Sequence, residues 1–293
     1  MVSDAIIVAG GLGTRMLPAS GSCAKEGLPL VDVPAIRHLL LEAIEAGCDH
    51  LHLILSPNKL ELGERVAADR ATTAHLLEKR PDIHPSLIGP LPAEVSLEIH
   101  VQPIANGLGG AIAVALPMID GPFLVLLGDN LLLDRHVPPD HQWVASSASM
   151  HLVEAHHRTG RPVAGIHEVP GSEVSQYGVV ALEGEMIRDL IEKPPREEAP
   201  SNSVLCGRYL WTKDTAGLLD RFDVRSHGEM QTIEIQRHWM AAEGGYLAVS
   251  LDEFQWYDSG APLPWLMAQV DHALRRKDLE GQFRAWLHER LES

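Results

Sequence analysis

The sequence predicts an α/β fold with a mixed, mostly parallel sheet and helices at its C-terminal end, and three observations carry that expectation. Ala5-Ile6-Ile7-Val8-Ala9 is an apolar, β-branched run that stops abruptly at Gly10, Gly11 and Gly13, the pattern of a buried strand entering a tight loop. A helical spacing (Ile36, Leu39, Leu40, Ala43, Ile44) and a second apolar run at 51–55 follow it. Phe123-Leu124-Val125-Leu126-Leu127 is continuously hydrophobic before Gly128-Asp129-Asn130, which is how a strand buried on both faces is written. Strand, loop, helix, strand is the start of a wound α/β sheet, whose ligands lie beyond the carboxyl ends of the strands.

The remaining elements follow in order. Pro34 is placed to open the first helix and Gly47 to stop it. Residues 58–80 read as helical with Leu62, Val66, Leu76 and Leu77 as core positions, and 81–92, spaced by prolines, as surface loop. The alternating stretch 95–101 reads as a strand that delivers Gln102-Pro103-Ile104-Ala105-Asn106-Gly107-Leu108-Gly109-Gly110, a second glycine-rich turn opening a second helix. There a planar base can lie on backbone while Gln102 hydrogen-bonds its edge. A helix is expected over 141–158, strands over 163–169, around Tyr177-Gly178-Val179-Val180 and from Ile187 into Glu192-Lys193-Pro194, and another over 204–211. Glu229-Met230-Gln231 marks a helix reaching residue 242, and 246–251 reads as a strand. After the aromatic stretch Phe254, Trp256 and Tyr257 comes Asp258-Ser259-Gly260. Helices over 262–277 (apolar face Leu266, Val270, Ala273) and 281–291 (Phe283, Trp286, Leu287) close the chain. The expected division is an α/β unit over 1–260 and a helical segment over 261–293 that packs on the core or contacts another subunit.

Composition narrows the function. With 45% hydrophobic and 22% charged residues the chain belongs with soluble globular proteins. No apolar run reaches the roughly 18 residues of a membrane span, and no basic stretch precedes the first apolar run, so a cytoplasmic protein is expected. A net charge of −16 argues against nucleic acid or an anionic membrane as partner. Anionic substrates must then be held by a few placed cations and a metal. Cys23, Cys48 and Cys206 show neither paired nor metal-like spacing. Cys23 reads as a small loop residue rather than a nucleophile, since no matched base accompanies it. His156-His157 lacks a His-x-x-x-His pattern and reads as surface.

The glycine loop is suited to phosphate: its backbone N–H groups can face phosphate oxygens, and Arg15 and Lys25 add full charges. It is not a Walker A loop, because no Gly-Lys-Ser/Thr follows, nor a dinucleotide fingerprint, because Met16 stands where a third glycine belongs. By itself it also fits an ordinary strand-to-helix turn. Asp129, at the end of the central strand, offers Mg²⁺ a hard oxygen donor beside substrate phosphates, or else forms a turn with Asn130. Asp258 poses the same choice between a metal ligand and a cap for the next helix.

Thr14-Arg15-Met16-Leu17-Pro18 and Lys25-Glu26-Gly27-Leu28-Pro29, after the glycine loop, resemble the signature of sugar-phosphate nucleotidyltransferases, most closely the bacterial glucose-1-phosphate uridylyltransferases (UDP-glucose pyrophosphorylases). Weaker segments stay in register from about Ala5 to Leu291. The resemblance implies a Rossmann-like nucleotidyltransferase core. It also implies transfer from a nucleoside triphosphate, UTP first, to a sugar 1-phosphate, and assembly as a homo-dimer or homo-tetramer. It assigns nucleotide binding to Ala9, Gly10, Gly11, Gly13, Thr14, Gln102 and Gly107, and sugar-phosphate binding to Gly178, Glu192 and Lys193. Magnesium goes to Asp129 and Asp258, and catalysis to Arg15, Lys25, Asp129 and Lys193. Three lysines usual in the family are replaced by Gly21, Asn106 and Pro262, and Glu229-Met230-Gln231-Thr232-Ile233 departs from its Glu-x-Gln-Leu-Thr. Glucose 1-phosphate, a different sugar or cyclitol 1-phosphate, and a nucleotide-binding regulatory homologue with weak activity are therefore the readings the sequence leaves.

Overall fold

The computed structural model describes residues 1–68, 70–221 and 232–292. The N-terminal half supplies strands β1 (Asp4–Ala9), β2 (Pro29–Leu30), β3 (Val33–Pro34), β4 (His50–Leu55), β5 (Ser96–Val101), β6 (Phe123–Leu127) and β7 (Asn130–Leu133). The C-terminal half supplies β8 (Val163–Glu168), β9 (Gly178–Glu183), β10 (Met186–Glu192), β11 (Ser203–Trp211), β12 (Leu247–Ser250) and β13 (Gln255–Asp258). Among the described residues nine of these form one mixed sheet in the order β5-β4-β1-β6-β11-β8-β12-β10-β9. β5, β4, β1 and β6 are parallel. β11 then runs antiparallel to both β6 and β8, and β9 and β10 form an antiparallel pair. Local connections explain the split. Helical crossovers return the chain in the first half, whereas only Gly184 and Glu185 separate β9 from β10, and so short a link can join only antiparallel strands.

Alternation along the strands divides the core between the two faces. Ile7, Leu53 and Leu126 pack with Leu39, Leu40 and Leu152 on one side, under the helices Ala35–Glu45 and Ala148–Thr159. Ile6 and Val125 pack with Ala111, Ile112 and Trp239 on the other. A fully buried ion pair crosses the first layer. Arg208 donates to both Glu42 oxygens at 2.7 and 2.8 Å, and Ser149 Oγ donates to Glu42 at 2.6 Å. Removing either charge would leave the other stranded in a dry interior.

Several expected boundaries shift. The stretch 58–80 is two helices, Leu60–Val66 and Arg70–Lys79; Leu62 and Val66 are buried, but Leu76 is exposed, because the second helix lies on the surface and turns Thr73 inward. The 81–92 loop contains the single helical turn Pro85–Ile88, which buries Leu87. The next helix starts at Ala148, where Ser146 Oγ accepts from the Ala148 N–H at 3.2 Å, so 141–147 is not helical. Glu229, Met230 and Gln231 lie outside the described residues, and the helix after them is Ile233–Ala241.

The helix Pro262–Arg275 turns Trp265, Ala268, His272 and Ala273 inward and leaves Leu266 60% exposed. Its orientation is fixed by polar contacts: Gln269 joins the Val31 N–H and the Pro29 carbonyl at 2.6 and 2.7 Å, and Tyr257 donates to Asp271 at 2.7 Å. Arg276, just beyond, pairs with Asp32 at 2.6 Å. The helix Glu280–Glu292 follows and buries none of its residues.

Candidate active site

The site lies at the carboxyl ends of β1, β5 and β6, where the wound half of the sheet places it. One cavity of about 350 Å³ is bounded by Gly10, Gly11, Lys25, Gln102, Gly107 and Asp129. The Gln102 N–H bonds the Leu55 carbonyl at 2.8 Å, which carries the β4–β5 ladder one step past the strand. Its side-chain amide donates to Asn106 Oδ1 at 2.9 Å and to the Gly107 carbonyl at 3.2 Å, so the carbonyl Oε1 turns toward Gly10. A Cβ on Gly10 would stand 2.7 Å from that oxygen, which is why the loop needs glycine there. Gly107, at φ 94°, makes the left-handed turn into the helix Leu108–Ala113.

Under this cavity runs a line of buried charges. Lys25 Nζ pairs with Asp129 Oδ2 at 2.8 Å and lies 3.8 Å from Glu26. Glu26, 1% exposed, receives Lys59 Nζ on both oxygens at 2.9 and 2.8 Å, and Lys59 also donates to the Ala9 carbonyl at 2.9 Å. Lys59 thereby fixes the start of the glycine loop. Burial pushes Glu26 up and Lys59 down from their ordinary pKa values, while each favours the other's charged form. Burial also pushes the Asp129 carboxyl up, but the Lys25 ammonium, through charge and hydrogen bond, and Arg15 beyond it bring it below the usual aspartate value.

A second cavity of about 500 Å³ is bounded by Arg15, Asp129, Tyr177, Glu192, Lys193 and Asp258. Its base is set by pairing of β13 with β7, which puts Asp258 opposite Asn130. Trp256 Nε1 donates to Asn130 Oδ1 at 2.8 Å, and the Trp256 and Tyr177 rings pack 4.9 Å apart. The Ser259 N–H and hydroxyl both donate to the Asp129 carbonyl, at 2.8 and 3.1 Å, tying the two acidic turns together. Asp258 accepts the Gly260 N–H at 2.6 Å. Burial, reinforced by the Asp129 charge, raises its carboxyl against the opposing pull of Arg15 and Lys25. The Lys193 backbone is left-handed, φ 47°, a costly conformation for lysine. It is held by its N–H bond to the Tyr177 carbonyl at 2.9 Å.

Of the residues expected from sequence, Gly10, Gly11, Lys25, Gln102 and Gly107 meet at the first cavity, Arg15, Gly178, Glu192, Lys193 and Asp258 at the second, and Asp129 lies on both. Ala9, Gly13 and Thr14 bound neither: Ala9 is buried as the acceptor for Lys59, Gly13 accepts from Ser20 Oγ at 2.7 Å, and Thr14 starts the short turn Thr14–Met16. Lys59 is a contributor that the sequence does not single out, and Glu26, Asn130, Tyr177 and Trp256, which stand within its motifs and aromatic stretch, gain their individual contacts only in the structure. Position at the carboxyl end of the 51–55 strand was the available signal for Lys59. Where family lysines are absent, Gly21 ends a short turn, Pro262 opens a helix, and Asn106 orients Gln102. Asp129 and Asp258 could hold a hard divalent cation, since carboxylate oxygens are the donors such an ion takes alongside phosphates, and the raised carboxyl of Asp258 beside a second acid suits positive charge there.

The nucleotidyl transferase family model matches residues 4–273. The UTP–glucose-1-phosphate uridylyltransferase YngB of Bacillus subtilis (strain 168) is 30% identical over 294 residues, covering 98% of this chain and 95% of that protein. A solved UDP-glucose pyrophosphorylase from Acinetobacter baumannii superposes with a TM-score of 0.82 at 26% identity over 99% of both chains. A UDP-glucose pyrophosphorylase complexed with UDP-glucose superposes with a TM-score of 0.76 at 28% identity, over 93% of this chain and 98% of that one. The chain belongs to the nucleotidyl transferase family.

Proposed function

We propose that this protein joins UTP and glucose 1-phosphate into UDP-glucose and pyrophosphate. The observation that carries the reading is Asp129, a single carboxylate on the wall of both cavities. It stands where a triphosphate in the first meets a sugar phosphate in the second. A phosphate oxygen of the sugar attacks the α-phosphorus, a P–O bond forms, and the bond to the departing pyrophosphate breaks in line. Such a reaction needs positioning and charge neutralisation more than covalent work. Lys25 faces the triphosphate, Arg15 and Lys193 the incoming phosphate in the second cavity, and Glu192 the sugar hydroxyls. Gln102 Oε1, with its amide committed to Asn106 and Gly107, is an acceptor suited to the imide N–H of uracil. Asp129 and Asp258 would hold Mg²⁺, which supplies charge neutralisation on the phosphates.

The similarity to UTP–glucose-1-phosphate uridylyltransferases over nearly the whole chain supports the substrate pair. A second reading, the same chemistry on another sugar or cyclitol 1-phosphate, is favoured by the lysines absent at Gly21, Asn106 and Pro262. The organisation we favour is a catalytic unit over 1–260 completed by the helical segment 261–293. No helix among the described residues is long and apolar enough to cross a membrane. A cytoplasmic homo-oligomer is the form we propose, with Leu263, Leu266 and Met267 exposed along one helix as the contact. The test is pyrophosphate release with Mg²⁺ over a grid of nucleoside triphosphates and sugar 1-phosphates. Turnover confined to UTP with glucose 1-phosphate is expected. Turnover with a different pair moves the substrate and keeps the chemistry, and metal-dependent nucleotide binding without turnover on any pair sinks the proposal in favour of a regulatory homologue.

A further inference from the structure

A second group of ligating side chains lies on the sheet edge, and none of its members bounds either cavity described above. His52 on β4 stands directly across from Glu98 on β5, and His100 lies two residues further along β5, so all three project from one face. His52 Nδ1 and His100 Nε2 are 3.0 Å apart, His100 Nε2 lies 3.8 Å from Glu98 Oε2, and the three ligand atoms fall within 4.8 Å of one another. Donors about 2.0–2.1 Å from a tetrahedral zinc sit roughly 3.3 Å apart, so the two pairs that share His100 lie within about half an ångström of that spacing, and the exposed Glu98 side chain is the one that would swing in to close the set.

The surroundings are those of a metal-binding histidine. His52 is 3% exposed, and its second ring nitrogen, Nε2, meets Asp4 Oδ1 on β1 at 3.2 Å. A carboxylate in that position takes the Nε2–H and leaves Nδ1 as a lone pair aimed at His100. Two ring nitrogens at 3.0 Å need something between them, either a proton on His100 or a cation. Glu98 is half exposed, which leaves an entry path and room for a water as fourth ligand.

We propose that His52, Glu98 and His100, oriented by Asp4, bind a divalent transition metal of the zinc class and so tie the edge strand β5 to β4. Two nitrogens and one oxygen suit zinc and its neighbours, whereas Mg²⁺ prefers oxygen alone. The strand that would be pinned is the one that delivers Gln102, two residues beyond His100, to the first cavity. This site is separate from the magnesium site proposed at Asp129 and Asp258.

The experiment is calorimetric titration of chelator-treated full-length protein with Zn²⁺ in excess Mg²⁺, alongside visible absorption on Co²⁺ substitution, for the wild type, His100→Ala, Glu98→Gln and Asp4→Asn. The wild type is expected to bind one more Zn²⁺ per chain than His100→Ala. It should also give a tetrahedral Co²⁺ band that His100→Ala lacks, and it alone of that pair should melt higher with Zn²⁺. Glu98→Gln should bind more weakly, and Asp4→Asn should keep the stoichiometry with affinity reduced about 10- to 100-fold. All four proteins are compared by circular dichroism, so loss of binding is credited only to folded variants. Equal Zn²⁺ stoichiometry and affinity in the wild type, His100→Ala and Glu98→Gln would assign the binding to others of the 16 histidines and overturn the proposal. So would failure of the wild type to bind Zn²⁺, which would leave His52 and His100 as a neutral hydrogen-bonded pair.

Discussion

The two cavities that share Asp129 are built on opposite plans. In the cavity proposed for the nucleotide the lysines are buried and already paired: Lys25 and Lys59 are 7% and 5% exposed and interlocked with Asp129 and Glu26. In the cavity proposed for the sugar phosphate the Lys193 and Glu192 side chains are 62% and 45% exposed and 3.5 Å apart, a pair that solvent screens heavily. The first arrangement fixes charge before any substrate arrives, so little reorganisation is left for the reaction. The second presents charge on side chains that only a bound ligand would order, although the left-handed backbone at Lys193 already fixes where that side chain begins. The division matches the chemistry proposed: the centre that must be neutralised as the P–O bond breaks is held rigidly, and the attacking group is gathered in.

The largest effect is expected where the two plans meet. Asp129→Ala should lower kcat/KM for both substrates by on the order of 10³-fold, the scale of removing one preorganised electrostatic group. Steady-state kinetics with each substrate varied in turn checks this, and a loss confined to one substrate would contradict a shared carboxylate.

Lys25→Met comes next. It removes a charge-assisted contact of about 1.5–3 kcal/mol, or roughly 10- to 150-fold in kcat/KM, and leaves only a backbone hydrogen bond and the more distant Arg15 to oppose the burial that pushes the Asp129 carboxyl up. The melting temperature should fall as well. Lys193→Ala is the matched control on the exposed side. It should raise KM for the sugar phosphate about tenfold, the lower end of the same range, with the melting temperature unchanged. If the two lysine variants lose stability equally, the contrast between a rigid and a gathered half fails.

How much of this could be read from sequence follows the same division. Gly10, Gly11, Gln102 and Asp129 were legible because each sits just past a strand whose hydrophobic pattern is plain, and wound sheets put ligands there; Lys25, well beyond the end of β1, was legible only through its charge and the resemblance of Lys25-Glu26-Gly27-Leu28-Pro29 to the family signature. For Lys59 and Glu26 position was readable but their pairing was not, because it is a contact between segments 33 residues apart that no local pattern encodes. The Trp256–Tyr177 packing and the placement of Asp258 depend on β13 pairing with β7, a long-range register. Helix faces failed in a different way. Leu76 and Leu266 satisfy a helical hydrophobic period and still point outward: Leu76 because its helix lies on the surface, and Leu266 because the polar anchors Gln269 and Asp271 settle how the helix Pro262–Arg275 is rotated. Those anchors carry no hydrophobic signal.

The smallest effect tests whether the rigid plan extends to base recognition. Gln102 could select uracil only if its amide cannot flip, since a flipped amide would offer a donor where the imide N–H needs an acceptor. Two bonds hold it, one to Asn106 Oδ1 and one to the Gly107 carbonyl, at 2.9 and 3.2 Å. Asn106→Ala removes one neutral hydrogen bond, about 0.5–1 kcal/mol, so KM for UTP should rise about two- to fivefold. Discrimination against CTP should weaken, while KM for the sugar phosphate stays constant. Gln102→Glu, an acceptor whichever way it turns but with no amide to give Asn106, should lose far more than Asn106→Ala in UTP affinity by placing a negative charge beside the triphosphate. An Asn106→Ala protein with unchanged UTP preference would mean that the Gly107 carbonyl alone fixes the amide, and that preorganisation on the nucleotide side ends at the phosphates.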